Sequence, residues 1–398
     1  MKSRKFAMTL LTFASAAFLA ACGEVGGTNT GGGSASSSSQ ASGNAIGETI
    51  KIGYNFELSG AVASYGNTEK NGADLAVEEI NAAGGVDGKK LEVISKDNKS
   101  ETAEAATVAT SLVTEGANVI VGPATSGASA AATANVTRGA VPMITPSGTQ
   151  DNLVFAADGK TVNDYFFRAT FVDSYQGQLL STYATDTLKA KKVVLYYDNS
   201  SDYAKGIADA FKESYSGEIV ETLTFASGDK DYQAALTKIK GLDFDAIIMP
   251  GYYEETGAIV KQARDLGITA PIAGPDGFDS PVFLEKAGAA ATDVHYLSAF
   301  STEGSEKAKK FYDAYVAKYG EEPSMFSALA YDSVYMAAEA AKGASTSVDI
   351  KDNLAKLSDF EGVTGTMSVD KNHNVVKSAY VISFSDGKVS GVEVLEAK

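Results

Sequence analysis

Residues 116–150 read GANVIVGPATSGASAAATANVTRGAVPMITPSGTQ. An apolar strand (Asn118–Val121) runs into a Gly122-Pro123 turn, a helical stretch (Ser126–Thr137), a second apolar strand (Val141–Thr145) and the turn Pro146-Ser147-Gly148-Thr149. Strands that are apolar throughout and alternate with helices belong to a parallel sheet covered on both faces. Ligands of such a sheet bind outside the carboxyl ends of its strands, here the turns that hold Ala124 and Ser126 and that run from Pro146 to Thr149. The segment carries one charged residue, Arg138, in a chain that is 21% charged. A helix starting at Ser126 presents free amide N–H groups and a partial positive charge, which favour a small anion such as a carboxylate. The hydroxyls of Ser126 and Thr149 stand where they would complete that anion's hydrogen bonds. The same residues also read as tight Ala/Ser/Thr packing, with Ser126 an ordinary helix cap.

Outward from this segment the alternation continues. Strands at Lys51–Phe56 and Leu91–Lys96 and a helix at Thr102–Thr114 precede it. The stripe Ala73, Ala76, Val77, Ile80, stopped by Gly84-Gly85, marks another helix. A second series has strands at Lys192–Tyr197, Ile219–Thr224, Ala246–Met249 and Pro271–Ala273, with helices at Tyr203–Tyr215, Asp231–Lys240 and Glu254–Leu266 between them. Two long helices (Ser305–Tyr319, Met325–Lys342) and strands at Val363–Val369, Ser378–Phe384 and Val392–Leu395 follow. The expected fold is α/β, two doubly wound lobes, with a chain that crosses back to the first lobe and then again to the second.

In the second series, Tyr252 and Asp276 lie in turns at carboxyl ends of strands. Asp276, between Pro275 and Gly277, is either a turn residue or a carboxylate facing a ligand cation. Tyr65, Tyr203 and Tyr252 either cover loops or converge as the apolar wall of a cleft.

Composition narrows the function. The chain has 398 residues, one cysteine, two histidines and a net charge of −16. That leaves no intrachain disulfide, little material for zinc or histidine chemistry, and no basic surface for nucleic acid. His295 and His373 stand in no catalytic or metal-ligand spacing; neither an enzyme nor a metal or cofactor site is expected. Lys2, Arg4 and Lys5 followed by the apolar run Phe6–Ala21 form a secretory leader. It ends Leu19-Ala20-Ala21-Cys22, which resembles the lipobox of bacterial lipoproteins. Cys22 is therefore the expected lipidation site, and loss of the leader's three cations leaves −19. Residues 22–47 read as a Gly/Ser-rich flexible tether.

The body from Thr49 to Lys398 resembles a known family, the amino-acid-binding proteins of bacterial ABC importers, in the leucine/isoleucine/valine-binding branch. Carrying the resemblance are Ile52-Gly53, Ser59-Gly60, Tyr65-Gly66, Gly72-Ala73, Ile80-Asn81-Ala82-Ala83-Gly84-Gly85, Gly122-Pro123 before Ser126, Ile144-Thr145-Pro146 before Thr149, Gly251-Tyr252 and Gly274-Pro275-Asp276-Gly277. The resemblance implies a type I periplasmic-binding-protein-like molecule whose two lobes, joined by a three-stranded crossover hinge, close on one amino acid. Lobe one would span 48–170 and 300–376, lobe two 171–299 and 377–398. It places the ligand carboxylate on Ser126 and Thr149 and the ammonium on Asp276, where the family's best-known member has Glu. Tyr65, Tyr203, Tyr252 and Phe326 would line the side-chain pocket. Ser147 and Gly148 fall where the family often has small apolar residues, and a Ser147 hydroxyl there would suit a more polar ligand. The implied partners are an amino acid, branched-chain aliphatic in the main reading, the permease and ATPase of the importer, and a membrane that holds the lipid; the body is expected to be a monomer outside the cytoplasm. The rival readings are a sensor domain of the same fold and a binder of a polar amino acid or amide.

Overall fold

The computed structural model describes residues 42–395. The leader, Cys22 and the tether as far as residue 41 lie outside the described residues. Strands β1 (Ile50–Phe56), β2 (Leu91–Asp97), β3 (Val119–Val121), β4 (Met143–Thr145) and β5 (Phe166–Arg168) form a parallel sheet in the order β2-β1-β3-β4-β5. Strands β6 (Lys192–Asp198), β7 (Glu218–Phe225), β8 (Ala246–Ile248), β9 (Ile272–Gly274) and β10 (Val294–Ser298) repeat that order as β7-β6-β8-β9-β10. In each sheet the winding reverses once, between β1 and β3 and between β6 and β8. At such a switch point the loops diverge and leave a crevice. The central strands follow from their sequence: Val119, Ile120 and Val121 are wholly buried, each contributing about 1.5–3 kcal/mol.

Helices α1 (Ala63–Ala82), α2 (Thr102–Thr114) and α3 (Ser126–Gly139) belong to the first lobe. Helices α4 (Asp173–Asp186), α5 (Asp202–Ser214), α6 (Gln233–Lys240), α7 (Tyr253–Asp265) and α8 (Pro281–Ala287) belong to the second. After β10 come α9 (Glu306–Tyr319), α10 (Met325–Ala341), α11 (Ser347–Leu354) and the hairpin β11 (Phe360–Gly362)–β12 (Gly365–Met367). The stripe Ala330, Val334, Ala337, Ala341 is buried, and α10 lies so close to α1 that a Cβ on Gly72 would stand 1.9 Å from the Ser327 carbonyl oxygen. Strands β13 (Ala379–Ser385) and β14 (Lys388–Leu395) then extend the second sheet antiparallel from β10.

The chain thus passes between the sheets three times, after Arg168, after Ser298 and before Ala379. A buried polar knot ties the first and third passages to α10. Lys377 Nζ donates to the Ala169 carbonyl (2.7 Å) and to Thr364 Oγ1 (2.5 Å). Asp332 accepts from the Val363 and Thr364 amides (2.8 and 2.9 Å) and from the Thr364 hydroxyl (2.5 Å). Burial pushes the Lys377 ammonium down to about 8, against the attraction of Asp332. Both histidines are absorbed by structure. His373 stacks on Phe167 and bonds the Phe166 carbonyl, and His295 bonds Tyr183, Ser383 and Asp293.

Two features depart from the sequence reading. Asn44–Ile46, read as tether, are fixed to the body: Asn44 Nδ2 donates to the Val113 and Ala117 carbonyls (3.0 and 2.7 Å), and the Ile46 amide to the Ser345 carbonyl (2.8 Å). Strands β5 and β10 and helices α4, α8 and α11 were not expected. A three-residue strand ending in Arg168, or one containing His295, carries too little apolar pattern to announce itself.

Candidate functional site

The carboxyl ends of β1, β3 and β4 face those of β6, β8 and β9 across a closed cleft. Eight of the ten residues expected at the site line one cavity there: Tyr65, Ala124, Ser126, Ser147, Tyr203, Tyr252, Asp276 and Phe326, with Thr125 and Gly277 added. The cavity measures about 10 Å³, room for about one water. A larger hollow of about 730 Å³ lies between α9, α10 and the β11–β12 hairpin. None of its lining side chains is among the buried polar groups lacking a partner, so volume alone does not locate the site.

The β3–α3 turn is held by Gly122, at φ +99° and with its Cβ position 2.4 Å from the Asn55 carbonyl oxygen, a place only glycine can fill. From there Ser126 turns its Oγ to the β4 loop and accepts from the amides of Thr149 (3.2 Å) and Gln150 (3.1 Å). Its oxygen organises that loop, and its proton is left to donate elsewhere. Gly148 and Thr149 stand behind the cavity, not on its wall. The Gly148 and Gln150 carbonyls accept from the buried Arg168 guanidinium (3.0 and 2.9 Å). Thr149 Oγ1 is buried without a hydrogen-bond partner.

The two residues that lead into the helix, Ala124 and Thr125, are already committed to an acid. Glu57, at the end of β1, accepts from the amides of Ala124 and Thr125 (both 3.0 Å) and from the Thr125 hydroxyl (2.8 Å). Nor does Ser147 offer its proton to a ligand, because its hydroxyl lies 2.5 Å from Glu69 Oε1 and 2.9 Å from the Ala124 carbonyl oxygen. The segment free of acids in sequence is met in space by two acids from other elements. Neither Glu57 nor Glu69 was singled out, although Glu57 obeys the same strand-end rule that found Ser126.

From the second lobe, Asp276 follows β9. Its Oδ1 accepts from the Tyr203 hydroxyl (2.5 Å), and its amide donates to Gln176 Oε1 (3.0 Å). Burial pushes its carboxyl up to about 7, opposed by the bond from the Tyr203 hydroxyl. Asp173, at the start of α4, is fully buried with neither oxygen partnered. Burial raises its carboxyl well above the usual range, helped by the charge of Asp276 and opposed by the Arg168 guanidinium. Burial likewise raises Glu69 and Glu57, Glu69 further because Glu57 lies beside it. Glu69 Oε2 and Gln176 Nε2 also lack partners. Buried polar atoms left unpaired in native structures concentrate where a function needs them.

The aromatic rings do converge. Tyr65 stacks on Phe326 at 4.2 Å and meets Tyr252 edge-on at 5.6 Å, while Tyr203 stacks on Tyr252 at 4.9 Å. The Tyr65 hydroxyl bonds the Gly277 carbonyl oxygen of the opposite lobe (2.5 Å). The result is a water-poor slot with the Ser126 hydroxyl at one end, the Asp276 carboxyl at the other and rings between. It is complementary to a zwitterion with an apolar side chain.

A family model described as periplasmic binding protein matches residues 49–388. The chain belongs to the periplasmic binding protein family. This binding protein is 34% identical over 272 residues to the Leu/Ile/Val-binding protein BraC3 of Rhizobium johnstonii, covering 68% of this chain and 72% of that one. Among solved structures it resembles the branched-chain amino acid transporter substrate-binding protein LivJ of Streptococcus pneumoniae in complex with isoleucine, at 60% identity, TM-score 0.84 and coverage of 87% and 99% of the two chains. The leucine-binding protein LivK of Thermotoga maritima is 29% identical with TM-score 0.80 over 87% of this chain and 99% of that one. No helix among the described residues is long and apolar enough to cross a membrane.

Proposed function

We propose that the protein captures a branched-chain L-amino acid by lobe closure and hands it to the permease and ATPase of an ABC importer. The observation that carries this reading is the joint lining of one closed cavity by Ser126 from the first lobe and Asp276 from the second. The ligand carboxylate meets the Ser126 hydroxyl, with Thr149 behind it. The ammonium meets Asp276, and an aliphatic side chain lies against Tyr65, Tyr203, Tyr252 and Phe326. Each charge-assisted contact contributes about 1.5–3 kcal/mol. Two or three of them with side-chain burial reach the roughly 8–10 kcal/mol of micromolar to sub-micromolar affinity. Identity of 60% to a protein solved with isoleucine supports the aliphatic class. The commitment of Ser147 to Glu69 disfavours a polar ligand.

The protein is not an enzyme in this reading. It is held outside the cytoplasm as a monomeric lipoprotein through Cys22, with residues 1–21 a cleaved leader, and its lobes divide near residues 170, 300 and 376. The test is a thermal-shift screen of the twenty amino acids on the purified body. Leucine, isoleucine and valine should raise the melting point most, because a ligand at 100 times its dissociation constant stabilises by about 2.7 kcal/mol. A larger shift from a polar or charged amino acid would overturn the aliphatic assignment.

A further inference from the structure

The turn Asp276–Ser280 of the second lobe touches the first lobe at several places besides the cavity. The Gly277 carbonyl accepts from the Tyr65 hydroxyl, and Ser280 Oγ lies 2.8 Å from Ser64 Oγ on α1. Asp279 Oδ2 accepts from the amide of Met325 at 2.8 Å. Met325 is the first residue of α10, a 17-residue helix of the first lobe, and its neighbour Phe326 lines the cavity. A carboxylate at the first turn of a helix is stabilised by the unpaired amides and the dipole there. The hydroxyl of Ser324, the N-cap of α10, accepts from the Ser327 amide and not from Met325, whose amide finds its acceptor on the other lobe.

We infer that Asp279 is a closure latch: it holds the second lobe on the N-terminus of α10, so that the lifetime of the bound state is set at this contact as well as at the ligand. Asp279 does not line the ligand cavity, so its contribution is the same for every ligand that lets the lobes close. Asp276 and Asp279 sit on one short turn, and seating Asp276 on the ligand ammonium carries Asp279 to α10 in the same movement. The other carboxyl oxygen of Asp279 accepts from the Tyr296 hydroxyl of its own lobe at 3.4 Å, and burial pushes Asp279 up to about 6, opposed by the Met325 amide. The inference rests on the reading of the cleft as an amino-acid site.

The test compares the full body with Asp279→Ala, Asp279→Asn and Ser64→Ala. Each is loaded with radiolabelled isoleucine, leucine or valine and chased with unlabelled ligand at pH 7.5. Loss of a hydrogen bond to a charged group is expected to raise koff about 10- to 100-fold in Asp279→Ala. The factor should be the same for all three ligands, with kon and the ligand-free melting point unchanged. Asp279→Asn keeps an acceptor for Met325 and should restore most of the slow release, and Ser64→Ala should raise koff only a few-fold. A koff equal to the parent's, a factor that differs among ligands, or an equal fall in the ligand-free melting point overturns the latch. A parent chain that binds none of the three amino acids overturns the functional reading, and the latch with it.

Discussion

Asp276→Asn replaces a fully buried carboxylate by a group of nearly the same shape with no charge. The rise of Asp276 from 3.8 to about 7 means that charging it inside the closed cleft, without a cation, costs roughly 4 kcal/mol. A ligand ammonium beside it removes that penalty, so the pair forms only when both partners are enclosed. In Asp276→Asn the ammonium is enclosed without its counter-charge. Breaking a buried pair from one side costs about 3–5 kcal/mol, and the expected loss of leucine affinity is therefore a hundredfold or more. Tyr203 retains an acceptor in the amide oxygen, so the turn keeps its shape and the ligand-free melting point should stay near that of the parent. Calorimetric titration with leucine at pH 7.5 measures the loss. A dissociation constant within threefold of the parent's would refute the assignment of Asp276 to the ammonium and the electrostatic reasoning behind it.

Acid should close the cleft without ligand. The carboxyls of Asp276, Asp173, Glu69 and Glu57 are all raised by burial in the closed form. Protonation therefore favours closure, and for Asp276 that support is lost as pH rises through about 7. The radius of gyration from small-angle scattering of ligand-free protein should shrink from pH 8 to pH 5, and a constant value would count against the buried carboxyls. Ser126→Ala removes the acceptor for the Thr149 and Gln150 amides. It should cost about 1–3 kcal/mol of stability as well as affinity, read as a lower urea midpoint; an unchanged midpoint would show that Ser126 does not organise the loop. Lys377→Met leaves Asp332 buried without its cation and should destabilise by about 3–5 kcal/mol. Chemical denaturation would detect this, and a neutral result would mean that Asp332 is carried uncharged.

Much of the architecture was legible because its central strands are apolar end to end and its helices carry regular stripes. The strand-end rule then led to Ser126 and Asp276 without any knowledge of how the two sheets face each other. What escaped was the contribution of residues whose meaning is set by distant partners. Glu57 looks like a strand-end surface acid until the amides of Ala124 and Thr125 are seen to close on it. Asp173 begins a helix of weak amphipathic pattern after a strand too short to recognise, so nothing local marked it as buried. The resemblance turns the Ser147 hydroxyl toward a ligand, whereas its partner, Glu69, lies 78 residues away on α1. Local pattern records which elements form; the partners of a buried polar group are recorded only by the packing.

The docking of Asn44 against the Val113 and Ala117 carbonyls decides which lobe carries the leading segment. These carbonyls belong to the last turn of α2 and to the turn that enters β3, so the leading segment is pinned at the amino edge of the first sheet, the rim farthest from the cleft. Whatever precedes Asn44 therefore travels with the first lobe, and hinge motion carries the second lobe relative to it.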